Sequence, residues 1–445
     1  MSEPHAATTI FGADPFWLST AILAVTYLTI MTERINRSVV ALLGAGVVIV
    51  TGLLSQEEAI RSVDFNTIGL LTGMMIIVAI TRKTGVFEYV AVQTARLGRA
   101  SPPRILLLLA IVTAVLSAFL DNVTTVLLVA PVTLALARDL KVPPYPFLFA
   151  EILASNIGGT ATLIGDPPNI LIGSLVGLSF NQFVVNLAPV VIVTLAVQCL
   201  MIHALWGRRL FAAAEDKQRV LAQQPRAAIK DVTLLRYSLG VIAAVVIAFV
   251  LARWLGLEPG TIAMLGAALL LLLDNYHRRA EEQTHGVHES YTQVEWITIF
   301  FFVGLFIVVA GVEHAGVLGT VADGLFEFSG GDLDVTAYAT LWVSAILSSI
   351  IDNIPFVATM IPVIKSMAPA FGGPEQIMPL WWALSLGACF GGNGTLIGAS
   401  ANLTVAGIAE RSGVPFRFLT FLAYAFPMML VSIAIAHLYI WLRYF

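Results

Sequence analysis

Apolar residues run along this chain in blocks at roughly 16–31, 38–54, 67–81, 184–206, 237–254, 259–274, 295–311 and 418–441, separated by short polar connections. Each block approaches the ~20 residues that a helix needs to cross a hydrocarbon core. The pattern predicts an all-α polytopic membrane protein. Two further regions, 105–178 and 336–410, are apolar but interrupted twice each. The first interruption is an acid-amide pair, Asp121-Asn122 in one region and Asp352-Asn353 in the other. The second is rich in glycine: Asn156-Ile157-Gly158-Gly159 through Gly165-Asp166-Pro167-Pro168-Asn169, and Gly391-Gly392-Asn393-Gly394 through Gly398-Ala399-Ser400-Ala401-Asn402. Backbone groups released from a helix inside a bilayer must find partners, so irregular backbone persists there only where protein or a wet cavity covers it.

The interruptions repeat at fixed spacing. Gly158/Gly391, Gly159/Gly392, Thr162-Leu163-Ile164-Gly165/Thr395-Leu396-Ile397-Gly398 and Asn169/Asn402 lie 233 residues apart. Asp121-Asn122/Asp352-Asn353, Ser117/Ser348, Pro131/Pro362, Gly73/Gly304 and Gly85/Gly316 lie 231 apart. The chain therefore reads as an internal duplication: residues 1–206, a linker at 207–233, and residues 234–445. Each half contains three spans or near-spans, a short amphipathic segment, a hairpin broken at Asp-Asn, a helix broken at glycine, and a last span. With the hairpins re-entrant, each half crosses about five times, and an odd number inverts the second half.

Charge tests that inversion. Residues 82–104 carry Arg82, Lys83, Arg96, Arg99 and Arg104 against one acid, Glu88. The equivalent 313–335 carries no Lys or Arg but has Glu313, Asp323, Glu327, Asp332 and Asp334. By the positive-inside rule the first is cytoplasmic and the second external. The linker, with Arg208, Arg209, Lys217, Arg219, Arg226 and Lys230, is expected in the cytoplasm and both termini outside.

Composition agrees: 58% of the 445 residues are hydrophobic and 12% charged, against ~25% charged in soluble domains. The start of the chain has no basic region typical of a cleaved signal. No phosphate-binding loop, H-E-x-x-H or G-x-S-x-G motif occurs, which argues against a membrane enzyme or a built-in ATPase. No cofactor, metal site or nucleic-acid partner is expected.

Two Gly/Pro-interrupted segments in matching positions of two halves point to a transporter's substrate site. The candidate substrate-binding residues are Asn122, Thr124, Asn156, Gly158, Gly159, Thr160, Thr162, Asn169, Asn353, Gly392, Asn393, Thr395, Ser400 and Asn402. The glycines and small residues also fit simple close packing of helices. Asp121 and Asp352 are candidates for ion or proton coupling, since a carboxylate at mid-membrane requires a cation, a proton or donors. The alternative is that each caps the following helix. Asp166, whose counterpart is Ala399, is a third coupling candidate or a turn residue. Glu151, opposite Leu384, is either a relay or a residue near a helix end. Cys199 and Cys389 read as packing, and His277, His285 and His288 as part of a solvated loop. Arg253-Trp254 and Trp381-Trp382 read as interface anchors.

Phe119-Leu120-Asp121-Asn122-Val123-Thr124-Thr125, Asp352-Asn353-Ile354-Pro355-Phe356 and the two glycine-rich stretches resemble the ion transporter superfamily. The similarity is closest to the branch holding the melanosomal P protein and arsenite permeases of the ArsB/NhaD type, and it extends over nearly the whole chain. The resemblance implies inverted repeats, re-entrant hairpins, broken helices, often a dimer, and an elevator-like motion. It also implies proton-coupled arsenite or antimonite efflux, sodium/proton antiport, or an anion conductance. The order Asp121-Asn122 sits nearer the P-protein pattern than that of some arsenite permeases. No Lys or Arg lies within the site stretches, so a polyanion would rely on helix dipoles and co-bound sodium. Arsenous acid, a neutral trihydroxide, suits a pocket of Asn, Thr and Ser. The expectation is a secondary transporter of the bacterial inner membrane, foremost a proton-coupled arsenite/antimonite antiporter. A sodium/proton antiporter and a passive anion channel are the alternatives. Expected partners are the solute, protons and the bilayer, with a homodimer and a peripheral ATPase subunit as further possibilities.

Overall fold

The computed structural model describes residues 9, 12–32 and 34–445, and the regular secondary structure of the described residues is all helical, without strands. The first half runs α1 (Pro15–Met31), α2 (Arg37–Val50), α3 (Gln56–Ser62), α4 (Phe65–Lys83), α5 (Val86–Leu97), α6 (Pro102–Phe119), α7 (Asn122–Asp139), α8 (Tyr145–Gly159), α9 (Pro167–Val176) and α10 (Phe180–Trp206). The 207–233 connection contains α11 (Ala214–Ala222). The second half runs α12 (Val232–Leu255), α13 (Pro259–Asn275), α14 (Ala280–Thr292), α15 (Trp296–His314), α16 (Val317–Phe328), α17 (Leu333–Ile350), α18 (Asn353–Met367), α19 (Met378–Gly391), α20 (Ser400–Arg411) and α21 (Phe418–Tyr444). Eight helices, α4, α6, α7, α10, α12, α15, α17 and α21, are long and apolar enough to span a membrane. α1, α2 and α13 are apolar but shorter. At 14 residues, α2 extends about 21 Å.

The halves correspond element by element, and their packing is reciprocal. α4 lies against α13, and α2 against α15. A Cβ on Gly73 would sit 2.5 Å from the carbonyl carbon of Ala263, and one on Gly304 2.5 Å from that of Ala41. Only glycine permits such backbone approach. Gly85 and Gly316 turn the chain with φ of 79° and 78° into α5 and α16. In each half the first hairpin arm packs on the helix before the glycine break, α6 on α8 and α17 on α19. α7 then meets α20, and α18 meets α9, so the hairpins and broken helices of the two inverted repeats interlock in the centre.

Twenty of the 24 Lys and Arg residues fall toward one face; Arg61, Arg253, Lys365 and Arg443 are the exceptions. That asymmetry is the one the positive-inside rule expects between a basic and an acidic side of a membrane. The 207–233 connection docks there, with Lys141 3.1 Å from Asp216 and Gln223 donating to Asp139 at 2.8 Å.

Two expectations are corrected. The histidine segment is not a loop: 280–292 is α14, held by Lys83, which lies 3.4 Å from Asp274 and 3.3 Å from Glu289. Trp381 and Trp382 are no interface anchors. Both are buried in the core, Trp382 edge-on to Phe183 at 5.3 Å, whereas Trp254 is 91% exposed.

Candidate functional site

The hairpin tips are built by their sequence. Leu120 and Ile351 are extended, and the next residue, an aspartate, starts the second arm. Asp121 accepts from the Thr124 amide at 2.8 Å and from the Thr124 hydroxyl. Asp352 accepts from the Ile354 amide at 3.1 Å. Both therefore cap helices by satisfying orphan amides at the N-terminus. The capping reading holds for each. It does not exhaust them, because both remain carboxylates in the centre of a membrane fold.

The breaks face these tips. α8 stops at Gly159 and α9 starts at Pro167; α19 stops at Gly391 and α20 starts at Ser400. Seven or eight residues between them leave helical backbone, and side chains satisfy it in matching ways. Asn169 donates to the carbonyls of Thr160 (3.0 Å) and Thr162 (2.9 Å), and Asn402 to those of Gly392 (2.7 Å) and Thr395 (2.8 Å). Thr162 donates to Ala118 and Thr395 to Ser349, both at 2.5 Å, tying each break to its hairpin tip. Thr160 donates to its own helix at Asn156. A Cβ on Gly158 would lie 2.2 Å from the Ala114 oxygen, and one on Gly159 2.4 Å from the Gly165 oxygen. Gly392, in the second break, similarly faces the Gly398 oxygen at 3.1 Å. For these threonines and glycines, then, the contacts are architectural.

Asparagines knit the two breaks together. Asn122 donates to Asn156 (3.0 Å) and Asp166 (3.2 Å), and Asn156 donates across the repeat boundary to Asn393 and Asn402, both at 2.9 Å. Buried among them, Asn122 Oδ1 and Asn393 Nδ2 have no hydrogen-bond partner. Asp166 occupies the cap position of α9 yet caps nothing; its carboxylate faces the centre instead, where Asn122 donates to it and Cys389 and Asn353 stand against it. Cys389 stands beside it, with Sγ 3.7 Å from Asn169 Oδ1.

The expectation that no basic residue reaches the site is overturned. Arg37, at the start of α2, lies 2.8 Å from Asp352 Oδ2, donates to the Ser400 hydroxyl and to Thr298 Oγ1 (3.0 Å), and stacks over Phe301. Ser400 in turn donates to Asp352 at 2.9 Å. Glu295, before α15, lines the same space. Neither residue belongs to the repeated motifs: Arg37 stands between two apolar blocks, where it reads as an ordinary cytoplasmic positive charge. The signal available was Thr67/Thr298 at the 231-residue spacing, which marks the start of α15 as equivalent to that of α4.

A cavity of about 280 Å³ opens on the basic face, with Met31, Asn36, Arg37, Glu295, Asp352 and Thr404 among its walls. Behind it the two tips close on a space of about 10 Å³, walled by Asp121, Asn122, Asp166, Asn353, Arg37 and Ser400, enough for about one water molecule. Four carboxylates thus share one arginine, and the arginine sits on the second hairpin's side only. Among the described residues no cluster suited to a metal ion occurs.

Comparison with known proteins gives this arrangement its relatives. The family model described as citrate transporter (CitMHS) matches residues 27–387. An uncharacterized transporter of Mycobacterium tuberculosis H37Rv is 43% identical over 432 residues, covering 96% of this chain and 98% of its own. The human P protein is 35% identical over 506 residues, covering 95% of this chain and 59% of its own. Among solved structures, the YdaH transporter of Alcanivorax borkumensis, described as having an unusual topology, superposes with a TM-score of 0.61 at 13% identity, over 96% of this chain and 98% of that one.

Proposed function

The chain belongs to the CitMHS citrate transporter family, and on that premise we propose that it is a proton-coupled secondary transporter of the bacterial inner membrane that exports a small neutral oxyacid, arsenite or antimonite. The observation that carries the reading is the set of unpartnered polar atoms where the breaks meet. Asn122 Oδ1 is an acceptor and Asn393 Nδ2 an amide donor, and beside them the Asp166 carboxylate faces the Asn353 amide. Buried polar groups without partners are costly, and arsenous acid, with hydroxyls that both donate and accept, would satisfy both kinds. A citrate-like polyanion fits less well. At about 5 Å and an effective dielectric of ~20, each like-charge pair opposes binding by roughly 3 kcal/mol, and four acids outnumber Arg37.

In this cycle Asp121, Asp166 and Asp352 exchange protons for solute, and the tips part to enlarge the water-sized space. Parting breaks the Arg37–Asp352 pair, so protonation of Asp352 and release of the second hairpin are linked. The test is arsenite flux in proteoliposomes under an imposed pH gradient, with and without Na⁺. Arsenite movement driven by the gradient and indifferent to Na⁺ is expected; its absence rejects the substrate. A second reading, sodium/proton antiport, is favoured by the excess of carboxylates over arginine at the tips. It predicts proton movement on adding Na⁺ with no arsenite present. A passive anion channel finds no comparable support, since an acid-rich constriction repels anions.

A further inference from the structure

One buried carboxylic acid takes no part in the cycle just described. Glu151 lies on α8, six residues in from its start at Tyr145, or about 9 Å from the cytoplasmic end. It is wholly buried, and its recorded hydrogen bond comes from the Thr133 hydroxyl of α7. Its second oxygen, Oε2, has no partner. Among the described residues no Lys, Arg or His forms an ion pair with it. An ionisable group so placed inside a membrane fold marks a functional site by default.

Its surroundings extend that mark into a line. α7 and α8 run antiparallel, and polar side chains follow their contact inward from Glu151. Thr133 faces Glu151; Ser155 lies one turn further along α8, and Thr125 lies further along α7; Asn156 then meets Asn122, which meets Asp166. On α8, Glu151 and Ser155 are about one turn, or ~6 Å, apart, and the Ser155 hydroxyl donates to the Ile152 carbonyl. On α7, Thr133 and Thr125 are about two turns, or ~12 Å, apart, with buried Val129 between them, a gap that water must bridge. Along this single seam Glu151 Oε2, Thr125 Oγ1 and Asn122 Oδ1 are all buried and unpartnered. The second repeat provides an internal comparison. At the matching places it has Phe356 for Thr125, Ile364 for Thr133, Leu384 for Glu151 and Ala388 for Ser155. Its seam is apolar where the first is polar.

From this juxtaposition we propose that the α7–α8 seam of the first repeat is a one-sided proton path, in which Glu151 is an intermediate proton carrier between the cytoplasmic face and Asp166. The proposal rests on the proton-coupled reading above and names where its protons travel. The Glu151 carboxyl gives its proton inward, the hydroxyls of Thr125 and Ser155 with intervening water pass it on, and the Asp166 carboxylate receives it; the Glu151 carboxylate left behind takes a proton from the cytoplasm. No bond other than O–H forms or breaks. The second repeat offers no equivalent route, so proton exchange with the external side proceeds only through opening of the central site.

The test compares wild-type protein with Glu151→Gln, which keeps an acceptor for Thr133 and so retains the fold, and with Thr133→Val. In proteoliposomes, arsenite–arsenite exchange at equal pH is expected within twofold of wild type in both variants, because neither residue touches the solute site. Arsenite flux driven by a pH gradient is expected to fall at least tenfold in Glu151→Gln and less in Thr133→Val. Unchanged gradient-driven flux in Glu151→Gln overturns the path while leaving the transporter reading intact. An infrared measurement is independent of any solute: pH-jump difference spectra should show a carboxylic-acid C=O band that is missing in Glu151→Gln. If wild type moves no arsenite but this band titrates, the substrate reading fails and the proton path stands. If no such band exists, the path is wrong whatever is transported.

Discussion

Arg37 offers the sharpest perturbation, because it joins α2 to the tip of the second hairpin with no equivalent in the first. Its pair with Asp352 spans 2.8 Å, and the two side chains are 21% and 14% exposed. Hydrogen bonds to charged groups contribute about 1.5–3 kcal/mol each. At ~4 Å between charge centres and an effective dielectric of ~20 the Coulomb attraction is about 4 kcal/mol. Partial exposure screens this and desolvation offsets more of it, leaving a net coupling of about 2 kcal/mol. Arg37→Gln should therefore shift the equilibrium toward parted tips by roughly thirtyfold. The assay is the labelling rate of Val123→Cys, a position 6% exposed on the inner pocket, in a background with Cys199 and Cys389 replaced. Arg37→Gln and Asp352→Asn should each accelerate labelling, and the double variant should add little to either. A double-mutant cycle with coupling under ~0.5 kcal/mol would show that the pair is no latch, and the reasoning from geometry to conformational control would fail.

Other predictions separate charge from architecture. Asp121→Asn should lose coupled flux yet keep its thermal stability within about 0.5 kcal/mol, since Asn caps as well as Asp, whereas Asp121→Ala should lose about 1 kcal/mol in addition; equal stability losses in a detergent melt would contradict this. Asp352→Asn should likewise lose coupled flux with normal membrane insertion, and normal gradient-driven flux in both aspartate variants would sink the carboxylate mechanism. Gly158→Ala places a Cβ 2.2 Å from a backbone oxygen and should destabilise by at least about 1–3 kcal/mol, while Gly240→Ala, with nothing within 4 Å, should not lower the melting temperature. Asn156→Ala strands its Asn122, Asn393 and Asn402 partners and should cost about 1–3 kcal/mol, read as a lower melting temperature together with lost transport.

Much of the fold was legible because membranes punish ambiguity. An apolar block must be a helix, and a glycine-proline interruption must be covered, so α4, α10, α12, α15 and α21 and both breaks could be found from composition alone. The constant 231- and 233-residue spacings then supplied the duplication, and Arg82–Arg104 against the acids of 313–335 its inversion. The site was legible only in part. Asp121, Asp166 and Asp352 stand out as charges in apolar surroundings. Arg37 and Glu295 do not, because a charge beside a span is ordinary; only the long hairpin, carrying Asp352 toward the far ends of α2 and α15, brings them in. Thr160, Thr162, Thr395, Asn169 and Asn402 read in the sequence as solute ligands at the breaks, and their hydroxyls and amides bind backbone carbonyls. Whether a side chain serves a solute or its own chain depends on rotamers that sequence does not display. Trp381 and Trp382 illustrate the same limit, since aromatic residues near a helix start fit an interface as well as a core.

The reciprocal packing of α4 on α13 and α2 on α15 bears on how the molecule is made. Gly73 is shaped to receive the Ala263 backbone, which leaves the ribosome about 190 residues later. At 5–20 residues per second that is a wait of roughly 10–40 s, during which a groove without side chains faces lipid or the insertion machinery. Neither half can complete its own packing, so two fragments cut within 207–233 should mature only when synthesised together, and an orphaned first half should be a target for quality-control proteolysis.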